Sequence, residues 1–158
     1  MENSQIALSE LWPVMKEQID CGKTVIFSPN GTSMLPLMRP NIDRVMLKKA
    51  PKKLKKYDIP LYLRDNGQFV LHRVVAVLED GYVMCGDHQY KREYGVKDGQ
   101  ILAIACGMYK GDDFVPFDGK KYINYCKKQV AKKHIYGEYM RLRNFAGRIK
   151  KKLKRQFL

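Results

Sequence analysis

The sequence predicts a mainly β domain preceded by one short helix and followed by a basic helical segment. Three observations carry this. Between residues 22 and 110, short runs rich in Val, Ile, Leu and Tyr alternate with Asn-Gly and Asp-Gly steps, the texture of strands and tight turns. Ahead of them, residues 9–20 place Leu11, Trp12, Met15 and Ile19 on one helical face. Beyond residue 111, Leu142, Phe145, Ile149, Leu153 and Phe157 recur at intervals of three and four among lysines and arginines. The chain divides accordingly into an N-terminal helix (1–21), a β domain (22–110) and a basic helical C-terminal extension (111–158).

Each element has its local reason. Ser9 is suited to cap the first helix, Pro13 fits its first turn, and Gly22 supplies the left-handed residue that ends it. The expected strands are Thr24–Phe27, Arg44–Leu47, Ile59–Leu63, Phe69–Leu78, Tyr82–Cys85 and Ile101–Tyr109. Pro60 puts its strand at an edge or at a strand start. Hairpins are expected at the Asn-Gly and Asp-Gly steps of Pro29-Asn30-Gly31, Asp65-Asn66-Gly67, Glu79-Asp80-Gly81 and Lys97-Asp98-Gly99. The stretch from Lys48 to Lys56 reads as a solvated loop, and the C-terminal helical segment as broken once at Gly137.

Charge is distributed unevenly. The net charge is +14, yet residues 1–118 hold 16 basic against 15 acidic side chains, while residues 119–158 hold 14 against Glu138 alone. The basic character therefore belongs to the extension. Cys21, Cys85, Cys106 and Cys126 lie far apart without a C-x-x-C pair or a histidine at ligand spacing, so no metal site and no cofactor is expected. Scattered thiols and an N-terminus without a basic leader point to a reducing compartment, hence the cytoplasm. No run of 18 apolar residues is present to span a bilayer.

Three segments could carry chemistry. Gly31-Thr32-Ser33-Met34-Leu35-Pro36 belongs in a tight turn, where a hydroxyl can be held out and backbone N–H groups can face a carbonyl. A serine needs a base, and His72, in an apolar run, would be partly desolvated and stay neutral near pH 7. Cys85-Gly86-Asp87 and the following Glu93 offer carboxylates to orient that imidazole. Each also has a plain structural explanation: a loop serine, a strand histidine bonded to a neighbour, a turn aspartate.

Taken in order, G-x-S-M-x-P, then H-R-V, then G-D resembles the S24/S26 serine peptidases, the group of signal peptidases and LexA-like self-cleaving proteins. Asp43-Arg44-Val45 and Tyr57-Asp58-Ile59-Pro60-Leu61-Tyr62 are similar to further strands of that family. The resemblance covers about residues 22–109 and implies a signal-peptidase/LexA-like β fold. It further implies a serine endopeptidase acting on a peptide or precursor protein, with Ser33 as nucleophile and His72 as base, closest to the Ser-His type. By the same resemblance Asp87 first and Glu93 second complete the site, and Gly31 and Thr32 flank the oxyanion position. Gly31 stands where many signal peptidases have a serine. The other reading is a catalytically silent relative that binds peptides in the same groove. For residues 138–158 the amphipathic pattern fits an anionic membrane surface better than nucleic acid, making the chain peripheral on the inner face of the membrane.

Overall fold

A computed structural model describes residues 8–156, with side chains to Gly137 and at Tyr139 and Arg143. The order is α1 (Leu8–Asp20), β1 (Val25–Phe27), β2 (Arg44–Lys48), β3 (Pro60–Leu63), β4 (Phe69–Leu71), β5 (Arg73–Leu78), β6 (Gly81–Cys85), β7 (Glu93–Val96), β8 (Ile101–Lys110), β9 (Asp113–Pro116) and α2 (Lys120–Gln156). All described strand pairs are antiparallel. One sheet runs β1-β2-β8-β3-β4 with β9 also on β8, and a second runs β5-β6-β7. The protein is thus a mixed α/β structure, mostly antiparallel sheet with a helix at either end.

Local chemistry explains most elements. Helix α1 turns Met15 and Ile19 into the core, with Leu8 and Trp12 partly buried against it. It ends in a Schellman arrangement: Gly22 N–H donates to Ile19 O, Lys23 N–H donates to Gln18 O, and Gly22 sits at φ +79°. Two details depart from the sequence reading. Helical geometry already holds at Leu8, which puts Ser9 inside the helix rather than at its cap and Pro13 beyond the first turn. The lost Pro13 N–H bond is tolerated because packing of the inner face, rather than each backbone bond, holds a short helix to its domain. Leu11 is exposed and belongs to a surface cavity, not to the core.

The central strand is β8. Its ten residues pair with β2 along one edge, and with β3 and then β9 along the other. Asp65–Gly67 and Glu79–Gly81 do close hairpins, joining β3 to β4 and β5 to β6. Lys97–Gly99 does not: it leads from β7 of the second sheet to β8 of the first. Side-chain bonds divert it there, since Asp98 accepts from Tyr82 and pairs with Lys53. Strands β7 and β9 escape the sequence pattern because they are short and largely exposed.

The expected strand Phe69–Leu78 is interrupted at His72, where the chain leaves the first sheet and enters the second. Residues 111–158, read as an extension, begin as part of the body. Tyr122 and Cys126 are buried in the main core, Val130 packs with Val75, Val83 and Cys85 of the second sheet, and Gln129 and Lys133 are buried as well. The helix also continues through Gly137 instead of breaking there. One glycine in a long helix costs only about 1 kcal/mol against alanine. Among the described residues no helix is long and apolar enough to cross a membrane.

A chain ending at residue 118 lacks all five of those buried groups and should lose its cooperative thermal transition. One ending at Gly137 keeps them and should retain it, as melting followed by circular dichroism would show.

Candidate active site

The Ser33 segment is a long loop between β1 and β2 rather than a tight hairpin at Pro29-Asn30-Gly31, because three buried side chains draw it into the core. Met34, Leu37 and Met38 enter the main core. Asn41 N–H donates to Pro29 O at 2.9 Å and closes the loop, while the Asp43 carboxylate accepts from the backbone and guanidinium of Arg39. Between these anchors Ser33 is half-buried at the start of a turn, and Gly31 and Thr32 are exposed beside it.

The far side of Ser33 rests on the Gly86–Gln89 turn. His88 N–H donates to Ser33 O at 2.8 Å. A Cβ on Gly86 would lie 2.5 Å from that same oxygen, so glycine is what lets the two backbones touch. Lys133 of α2 secures the turn from behind, its ammonium donating to the carbonyls of Gly86, Asp87 and Gln89 at 2.7, 3.2 and 2.6 Å. With those three donors spent on carbonyls, Lys133 serves the loop rather than the cavity.

His72 and Arg73 point to opposite sides of the chain. Arg73 is fully buried and forms a fork with Asp87, Nε to Oδ1 at 2.8 Å and Nη2 to Oδ2 at 2.7 Å. Its remaining nitrogen, Nη1, donates to Tyr57 O, Tyr122 Oη and Cys126 Sγ. Burial opposes the guanidinium charge, but the Asp87 carboxylate outweighs it and holds the Arg73 pKa above its ordinary value. Tyr125 donates its hydroxyl to Asp87 Oδ2 at 3.0 Å. Asp87 is therefore committed to Arg73 and α2, and the structure does not bring it to the imidazole.

Glu93 is brought there, through a residue the sequence reading passed over. Tyr62 in β3 pairs with Val70, and its ring reaches diagonally to His72, two residues further along. Its hydroxyl lies 3.2 Å from His72 Nδ1 and donates to Glu93 Oε2 at 2.8 Å. One hydroxyl proton cannot serve both, so with Glu93 taking it, the Tyr62 oxygen accepts Nδ1–H and His72 Nε2 keeps its lone pair. Arg64 donates from Nε to Glu93 Oε1 at 2.8 Å and pairs through Nη2 with Oε2, lowering the carboxyl pKa. Burial, and then the hydrogen bond to Glu93, push the Tyr62 phenol well above its usual range. Burial, with the Arg64 charge adding to it, pulls His72 down to about 4, so the ring is neutral at physiological pH. The signal that could have found Tyr62 was its position: a tyrosine in an apolar strand must satisfy its hydroxyl somewhere.

Ser33 and His72, far apart in sequence, line one open cavity of about 960 Å³ together with Gly31, Thr32, Arg64 and Gln89. Its floor and walls include Leu11, Ile26, Phe27, Leu61 and Phe69. His72 is hydrogen-bonded to Tyr62 through Nδ1, which leaves Nε2 as the nitrogen with a lone pair for a proton. Among the described residues no cluster of His, Cys, Asp or Glu suits a metal ion. Comparisons with protein-family models, with curated proteins and with solved structures returned no match.

The two carboxylates should separate in a urea titration. Asp87→Asn leaves Arg73 buried without its countercharge and should cost about 3–5 kcal/mol. Glu93→Gln, in a pair whose side chains remain 27–31 % exposed, should cost no more than about 1 kcal/mol.

Proposed function

We propose that the protein is a serine endopeptidase of the signal-peptidase-like type, with Ser33 as nucleophile and His72 as general base. The observation that carries the reading is the shared cavity of a loop serine and a neutral histidine whose Nδ1 is tied to Tyr62. The resemblance of the ordered motifs to the S24/S26 peptidases supports the same assignment.

In the proposed reaction Ser33 Oγ attacks a peptide carbonyl while His72 Nε2 takes its proton. The oxygen of the tetrahedral intermediate is received by backbone N–H groups of the turn at Gly31, Thr32 and Ser33. The imidazolium then protonates the leaving amine; water, deprotonated by the same nitrogen, adds to the acyl carbon, and the C–Oγ bond breaks as that proton passes to Ser33 Oγ. Tyr62 and Glu93 act as positioning residues: they hold the reactive tautomer and place a negative charge near the ring when it becomes cationic. Asp87 has a structural part, holding Arg73 and the turn under Ser33. The apolar walls suit an extended peptide with small or aliphatic side chains, as in a processed precursor.

A fluorophosphonate should label the wild type and leave Ser33→Ala unlabelled, with peptide hydrolysis falling by several orders of magnitude at unchanged melting temperature. A wild type that binds peptides but neither labels nor hydrolyses them is the silent relative instead.

The pH profile tests the base. With His72 drawn down to about 4 in the free protein, kcat/KM should rise with pH along a limb below neutrality, as the imidazole loses its proton, and be flat from about pH 6 to 8. Tyr62→Phe should lower the plateau by about ten- to hundredfold, because Nδ1–H loses its acceptor while the base remains. A limb appearing only above about pH 9 would identify a lysine as the base.

A further inference from the structure

We propose that the face formed by Tyr90, Tyr136 and Tyr139, continued by the basic turns of α2, is a docking surface for an anionic membrane. Tyr90 and Tyr136 stack with ring centroids 3.9 Å apart, and Tyr136 and Tyr139 follow at 6.4 Å. The three rings stay 37–57 % exposed, and Ile135 beside them is 71 % exposed. An aromatic ladder of this kind, with an exposed aliphatic side chain next to it and left open to solvent among the described residues, is an apolar patch in need of a partner. Tyrosine suits the boundary between lipid and water, where its ring is apolar and its hydroxyl stays wet.

Charge selects the partner. Arg92 lies at the same place, 3.3 Å from His134 Nδ1. From residue 134 to 156 the helix carries eight Lys and Arg against Glu138 alone. In the sequence, Leu142, Phe145, Ile149 and Leu153 recur among them at intervals of three and four. A phosphate backbone has no use for aliphatic and aromatic rows, whereas a headgroup layer over acyl chains satisfies both kinds of residue. Phe157 lies outside the described residues.

The surface also adjoins the cavity. Gln89 lines the cavity and the next residue, Tyr90, stands in the ladder; Lys133, three residues before Tyr136, holds the turn that contains Gln89. Docking would bring the Ser33 cavity to the bilayer surface, a consequence independent of whether the cavity hydrolyses peptides.

The test is co-sedimentation of the full chain with sucrose-loaded vesicles, of phosphatidylcholine alone or with roughly one quarter phosphatidylglycerol. The protein should bind the anionic vesicles at least about tenfold more tightly, and less as salt rises. Tyr90→Ser/Tyr136→Ser/Tyr139→Ser should lower the residual high-salt binding at least about fivefold, since the apolar contribution is the unscreened one. Should that variant melt early, Ile135→Ser/Tyr139→Ser alters only exposed side chains and should show the same direction. The proposal is overturned if anionic vesicles are ignored at low salt, or if the tyrosine variants bind like wild type. It is likewise overturned if duplex DNA at equal phosphate concentration strips the protein from vesicles.

Discussion

The fully buried pair of Arg73 and Asp87 is the constraint on which the rest of the structure hangs. Two charges withdrawn from water are tolerable only when their hydrogen-bonding capacity is met in full. Here one guanidinium binds a carboxylate in a fork, a carbonyl, a tyrosine hydroxyl and a thiol. Arg73 itself opens β5, and its partners come from the turn after β6, the loop before β3 and helix α2. Meeting the demands of one side chain therefore fixes how four separate segments meet.

The geometry of the candidate site follows from that anchorage. Once Arg73 faces inward toward α2, its neighbour His72 must face the other way, into the cavity. The Asp87 turn, clamped from behind by Lys133, offers His88 N–H to Ser33 O and so sets the position of the serine loop. The imidazole gets its orientation from a different network, Glu93 acting through Tyr62 with Arg64 as counterion. One network positions the nucleophile's backbone and another the base, so each can be perturbed without directly removing the other.

Helix α2 joins these parts to the surface. Its first half is core, with Tyr122, Cys126 and Val130 buried, and Lys133 is the last buried residue described on it. Beyond that come the tyrosine ladder and turns of the helix that carry eight Lys and Arg against Glu138 alone, half of the net positive charge. A single element thus stabilises the body, holds the turn beneath Ser33 and presents a charged aromatic surface.

Much of the fold was legible in the sequence because it rests on short-range physics. Alternating apolar runs marked six strand regions, Gly22 marked the end of α1, and Asp65–Gly67 and Glu79–Gly81 marked hairpins, since backbone sterics and burial of one face act over a few residues. The nearness of Ser33, His72 and the Cys85–Glu93 segment was suggested by motif order alone. What the sequence could not decide was which group each buried polar side chain would choose. Asp87 and Glu93 are equally carboxylates in the chain; only the packing puts one against Arg73 and the other against Tyr62. The break of a continuous apolar run at His72, the pairing of β7 and β9, and the burial of the first turns of a lysine-rich helix were likewise tertiary decisions. In each, desolvation is repaid by partners distant in sequence, and a local pattern carries no record of them.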